Sequence, residues 1–252
     1  MTDELDRKSA ASFDRREMTQ ARVLLGRFGA GLPTRAAQSF LLDHARARQA
    51  VWSEVDWASV RAGLVDLNLG IVEVESQAAD RATYVRRPDL GRKLSWQATE
   101  RLADIRSDYD VLIVIADGLS ASAIDTNAVS LARAIVAHLS ARQLSIAPLV
   151  LASQARVALG DPIAEIAGAR ISITIIGERP GLSAADSVGV YVTCSPRPNT
   201  PDSRRNCISN IRDGGLTVGS AAIGVASLVV DMLKTGISGV GLKDASMGLL
   251  RD

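Results

Sequence analysis

The chain has 252 residues, 47% hydrophobic and 23% charged, the proportions of a folded globular protein; its length fits one large domain or a medium domain with a smaller one attached. Its 29 Lys and Arg nearly cancel 28 Asp and Glu, and aromatics make up only 4%, which argues against the electrostatic field and stacking platforms of a nucleic-acid binder. The longest apolar runs, such as Val111–Ala116 and Ile171–Ile176, fall far short of the roughly 20 residues of a spanning helix, and two cysteines are too few for a disulfide framework.

In chain order, the amino terminus from Met1 to Arg22 lacks the apolar core of a secretory signal, so a cytoplasmic location is expected, with Cys194 and Cys207 kept as thiols. From Phe13 to Asn68 apolar residues such as Val23, Leu24, Phe28, Ala37, Phe40, Leu41 and Ala45 recur at helical spacing. Residues 1–68 are therefore read as an N-terminal helical subdomain. Within it, glycine in Gly29-Ala30-Gly31 can stop one helix and Thr34 can cap the next.

After Gly70 short, mostly β-branched runs alternate with helical stretches, and residues 69–252 read as an α/β domain. The expected strands are Ile71–Val74, Val111–Ile115, Ala147–Leu151, Ile171–Ile176 and Val188–Val192. The covering helices are Ala121–Leu139, Ile163–Ala167 and Gly219–Lys234. Because Val111–Ala116 is apolar on both faces, it fits a strand covered on each side, and the whole suggests a Rossmann-like open sheet flanked by helices. Such a sheet binds ligands beyond the carboxyl ends of its strands. The stretch Ser195–Asn210 reads as a long polar loop, a kind of segment that is more often functional than idle.

Common enzyme signatures fail. The glycines at 26, 29 and 31 and at 236, 239 and 241 stand in the wrong order for a dinucleotide fingerprint, and Walker, nucleophile-elbow and paired-cysteine metal patterns are missing. His44 and His138 are the only histidines available for acid-base work, and both fall on expected helices. Difficult chemistry would therefore come from a cofactor or another chain. What remains is a pair of strand-end loops, Asp117–Ser120 and Gly177–Leu182. Asp117 could equally cap the following helix, the glycines and Pro180 could be turn punctuation, and Glu178 with Arg179 could be a local ion pair.

Several ordered motifs carry a resemblance. Arg81-Ala82-Thr83-Tyr84 with Arg86-Arg87-Pro88-Asp89-Leu90-Gly91-Arg92, Ala116-Asp117-Gly118-Leu119-Ser120, and Arg156-Val157-Ala158-Leu159-Gly160-Asp161 come first. Ile176-Gly177-Glu178-Arg179-Pro180-Gly181-Leu182-Ser183 and Arg205-Asn206-Cys207-Ile208-Ser209-Asn210-Ile211 follow. In order and spacing the chain resembles the small subunit of ethanolamine ammonia-lyase from about Arg22 to Asp244.

The resemblance implies a lyase that uses adenosylcobalamin to convert ethanolamine to acetaldehyde and ammonia. It also implies a hetero-oligomer whose large subunit, a barrel, binds ethanolamine and carries most catalytic groups, so that this chain is not an enzyme alone. Carried over by motif, the cobalamin-contacting positions are Val157, Glu178 and Cys207; Cys207 is expected to contact through packing or backbone. No catalytic residue and no metal ligand is carried over. His44 and His138 both lack the Asp-x-His-x-x-Gly setting of folds that supply a protein ligand to cobalt. A bound cofactor is thus expected to keep its own dimethylbenzimidazole on the metal. Some relatives carry a longer leader associated with a bacterial microcompartment; Met1–Met18 here is short and polar.

Overall fold

The computed structural model describes Arg22, Leu25 and residues 31–242. The first helix expected around Val23, Leu24 and Phe28, and the tail from Lys243, lie outside the described residues. The amino-terminal part supplies α1 (Thr34–Trp52) and α2 (Trp57–Ala62). Thr34 does not cap α1. It is the first helical residue, and Pro33, with φ already fixed at −55°, stands in the cap position without a side-chain bond. Along the 19 residues of α1 only Ala50 is buried. Val55, Val60 and Leu64 around α2 join the main core instead.

The remainder is a mixed α/β unit: β1 (Ile71–Glu75), α3 (Arg81–Arg86), α4 (Trp96–Ala103), β2 (Tyr109–Ala116), α5 (Ala121–Ser140), β3 (Leu149–Ser153), α6 (Gly160–Ala167), β4 (Ala169–Gly177), β5 (Val188–Cys194), β6 (Arg205–Ile211) and α7 (Val218–Thr235). One six-stranded sheet has the order β1-β3-β2-β4-β5-β6. The first four positions in that order run parallel, while β5 pairs antiparallel with β4 and β6 antiparallel with β5. The reason is the connections. Helices cross over between the parallel strands, whereas residues 178–187 and 195–204 make short returns with no α-helix, which suit antiparallel neighbours.

Helices cover both faces. Val111, Ile113 and Ile115 of β2 pack toward α2, α5 and α7, and the alternate Leu112, Val114 and Ala116 pack toward α4 and α6. Burying a large aliphatic side chain stabilises by roughly 1.5–3 kcal/mol, so this central strand anchors two cores at once. Serine and threonine side chains start the helices around it: Ser95 accepts from Ala98 N, Ser120 from Ala123 N and Thr217 from Ser220 N. Among the described residues α7 alone is long and apolar enough to cross a membrane, yet its Ala221, Ala222, Val225, Ala226, Val229 and Met232 face packs into the sheet core.

The polar stretch Ser195–Asn210 is only half a loop, because Arg205–Ile211 forms the edge strand β6. Asn206, Cys207, Ser209 and Asn210 are not buried there, while Arg205 and Ile211 are. An edge strand wet on much of its surface has no need of an apolar run, which hid it in the sequence.

Candidate functional site

The helix after β2 covers one face of the sheet and the helix after β3 covers the other, although these strands are neighbours. Their connections therefore part at the carboxyl ends and leave a crevice. The loop after β4 closes against the loop after β2. Gly118 has φ +58°, where a side chain would be strained, and a Cβ on it would collide with the Gly177 carbonyl; a Cβ on Gly177 would collide with the Ser120 carbonyl. Leu119 N donates to that Gly177 oxygen at 2.9 Å.

Asp117 does not cap α5, a role taken by Ser120. Its buried carboxylate accepts from Gln154 N at 2.8 Å and Ala155 N at 2.9 Å, tying the end of β2 to the turn after β3. Arg81 pairs with it at 3.3 Å, and donates to Gly118 O at 2.9 Å and to Val51 O at the end of α1 at 2.6 Å. Burial pushes the Asp117 carboxyl up to about 6, against the lowering effect of the Ala155 amide, Arg81 and the Gln154 amide. Tyr84 donates its hydroxyl to Ala155 O at 2.9 Å, and the guanidinium groups of Arg81 (4.8 Å) and Arg156 (4.2 Å) both lie over its ring.

In front of this network opens a concavity of about 390 Å³, lined in part by Leu119, Val157, Ile176, Glu178, Arg179 and Tyr191. Val157 reaches it from the short 3-10 turn Val157–Leu159. Glu178 does not pair with Arg179. Its Oε2 accepts from Ser187 Oγ at 2.5 Å and from Asn210 N at 3.4 Å. Oε1 accepts no hydrogen bond among the described residues. Cys207 is opposite Tyr191 in the β5–β6 register, so its thiol meets the phenol at the rim. Although Cys207 is exposed as a residue, partial burial of its thiol pushes the pKa up, and burial moves Tyr191 up to about 12. Both stay protonated at neutral pH, as suits packing rather than nucleophilic attack.

The structure thus gathers Val157 and Glu178 in one concavity, with Cys207 beside it. On the far side of the Val157–Leu159 turn is a groove of about 620 Å³ bordered by Arg92, Lys93, Ala158, Asn199 and Thr200. His44 in α1 and His138 near the end of α5 line neither. Sequence reasoning assigned no role to Tyr191 or Arg156. Tyr191 is an aromatic hydroxyl within the apolar run Val188–Val192, and that interruption is a signal the sequence carries. Arg156 stood inside a recognised motif, but only the fold stacks it on Tyr84.

The family model for the ethanolamine ammonia-lyase light chain matches residues 11–243. The chain belongs to the ethanolamine ammonia-lyase small-subunit family. A relative named ethanolamine ammonia-lyase small subunit from Bradyrhizobium diazoefficiens is 49% identical over 237 residues, 93% of this chain and 91% of its own length. Similarly named relatives from Rhodopseudomonas palustris and Azotobacter vinelandii are 45% and 44% identical, over 93% and 91% of this chain and 90% and 86% of theirs. Membership in this ammonia-lyase small-subunit family spans both the helical entry and the whole sheet, so the strand-end loops and the edge strand β6 all lie within the matched region.

Proposed function

We propose that this chain is the small subunit of an adenosylcobalamin-dependent ethanolamine ammonia-lyase, forming one wall of a cobalamin site that a large subunit completes. The observation that carries the reading is the convergence of Val157 and Glu178 on one open concavity with Cys207 at its rim. Cobalamin is bulky and fringed with amides, so one of its walls needs apolar surface together with hydrogen-bonding groups. Leu119, Val157 and Ile176 offer the apolar surface, and Glu178, Arg156 and Arg179 offer acceptor and donors. Arg156 Nε is buried without a hydrogen-bond partner among the described residues.

The residues present fit that group in definite roles. Val157 would pack against it, and Glu178, held by Ser187 through one oxygen, would offer the other to a ligand amide or hydroxyl. Cys207, protonated beside Tyr191, contributes contact without ligating metal. When bound, adenosylcobalamin supplies the radical chemistry that converts ethanolamine to acetaldehyde and ammonia. The chain's own residues bind and orient the cofactor and exclude water along one side, and the large subunit binds ethanolamine. His44 and His138, on helices outside the concavity, would not hold the cofactor's metal.

The same reading treats residues 1–68 as a helical subdomain and 69–252 as a Rossmann-like domain whose switch-point edge faces the partner. It places the hetero-oligomer in the cytoplasm, with enclosure in a microcompartment as the alternative setting. The test is coexpression with the large subunit, addition of adenosylcobalamin, and measurement of acetaldehyde with each chain omitted in turn. Activity should require both chains. Turnover of ethanolamine by this chain alone would overturn the reading.

A further inference from the structure

We propose that Asp117 is a positioning residue for the cofactor edge, holding the Gln154–Val157 turn so that Val157 meets the ligand; the inference rests on the cobalamin reading of the concavity. Asp117 lies behind that surface rather than on it. It borders a separate, smaller cavity of about 210 Å³, shared with Arg81, Ser153, Gln154 and the turn after α1.

The turn it holds is not one the chain adopts freely. Gln154 has φ +53°, a left-handed conformation disfavoured for a residue with a Cβ, and it is followed directly by Ala155, Arg156 and Val157. The two backbone N–H groups at the start of this turn, from Gln154 and Ala155, both end on Asp117, one on each carboxylate oxygen. No neutral side chain of the same shape offers two acceptors there, because an asparagine would turn an NH₂ toward one of the donors. Tyr84 fixes the next atom along, the Ala155 carbonyl, and Arg156 N donates to Gly91 O at 2.8 Å. Gly91 must be small, since a Cβ would press on Arg156 and the Tyr84 ring at 2.9–3.0 Å. The turn is therefore held by Asp117 at its start and by Tyr84 and Gly91 farther along.

Arg81 makes the carboxylate's placement more than local. Through Gly118 O and Val51 O the same guanidinium reaches the β2 loop and the end of α1, so one buried pair sets the relative position of the segments behind the concavity. The charged and titratable side chains around Asp117 are Arg81 and Tyr84 of α3, Arg156 stacked on Tyr84, and Glu54 bordering the shared cavity.

The test is an adenosylcobalamin titration of the complete complex, with the large subunit and this chain as wild type, Val157→Ala, Glu178→Ala, Asp117→Asn and Asp117→Asn with Val157→Ala. Asp117→Asn should weaken cofactor binding about tenfold or more while leaving turnover per complex at saturating cofactor intact. A merely structural loss would lower the amount of complex and leave its affinity alone. Val157→Ala should weaken binding in the wild-type background and add little once Asp117 is replaced, since both changes spoil one contact. Additive effects, or unchanged affinity for Asp117→Asn where Val157→Ala weakens it, would overturn the proposal.

Failure of the cobalamin reading looks different: Val157→Ala and Glu178→Ala would both leave affinity untouched. In that event amide hydrogen exchange of the full chain decides the positioning role. Faster exchange at residues 154–157 in Asp117→Asn, with strands β2 and β4 unchanged, supports it, and unchanged exchange contradicts it. Where Asp117→Asn yields no folded chain, Asp117→Glu keeps the charge opposite Arg81 but displaces the acceptors by one methylene, and the same readings apply.

Discussion

Two buried arginine–aspartate pairs flank the turn that follows β3, and they do different work. Arg205 of β6 meets Asp161 of α6 at 2.6 Å, with side chains only 3% and 2% exposed, and also donates to Thr193 Oγ1 and Thr200 O. It joins a helix to an edge strand through side chains. Arg81 and Asp117, 3.3 Å apart and 8% exposed each, spend most of their hydrogen bonds on backbone groups of loops. The first pair fastens the frame; the second shapes the surface that frame presents. A buried pair broken on one side leaves an uncompensated charge whichever role it has, so only the location of the damage distinguishes them.

The largest expected effect therefore comes from the frame. Arg205→Met leaves Asp161 buried without its partner and should cost about 3–5 kcal/mol, read as a lower midpoint in urea unfolding. Loss of stability below about 1 kcal/mol would remove the contrast between the pairs.

The second pair should show itself through pH. The folded-state pKa of Asp117 is raised to about 6 by burial, above the roughly 3.9 of an unfolded aspartate, so the folded chain holds that proton more tightly. Stability contributed by this group is full below about pH 4, declines as pH rises through about 6, and is flat above, a loss of order 3 kcal/mol at most. Unfolding free energies measured across that window should fall with rising pH more steeply in wild type than in Asp117→Asn. Equal slopes would mean that Asp117 is charged throughout.

A smaller change is expected at the surface of the concavity. Glu178→Ala should leave stability nearly intact and weaken adenosylcobalamin binding to the complex about 5- to 150-fold, corresponding to roughly 1–3 kcal/mol for a partner left without its acceptor. Unchanged affinity would make Glu178 a brace for Ser187 and the Asn210 backbone and nothing more. Smallest of all, His44→Ala and His138→Ala should not alter the metal's coordination. Electron paramagnetic resonance of the cob(II)alamin form, with ¹⁵N in the dimethylbenzimidazole, should show coupling to the labelled base in both variants.

The difference between the two regions also explains what the sequence revealed. The central strand β2 was legible because a strand buried on both faces must be apolar, as Val111–Ala116 is. Strand β6 was not, since Asn206, Ser209 and Asn210 on a wet edge look like loop residues until Tyr191 and Val192 of β5 pair with that strand. Val157 and Glu178 were singled out through the family motifs, and the fold brings both to one concavity. The role of Asp117 was not legible. Its partners are backbone amides 37 and 38 residues away, and backbone donors leave no mark in a sequence, so the nearby helix α5 offered the simpler reading of a cap. Arg205 was hidden for a related reason, its partner Asp161 lying 44 residues earlier in the chain.

The central claim is that the carboxyl-end concavity, and not another face, is this chain's share of a cobalamin site. Amide hydrogen exchange of the assembled complex, compared with and without adenosylcobalamin, tests it directly. Protection should rise at residues 117–119, 156–158, 176–179 and 206–208, while α1 from residue 34 to 45 and the β1 edge of the sheet stay as they were. Protection confined to other surfaces of this chain, with those four segments unchanged, would contradict the account.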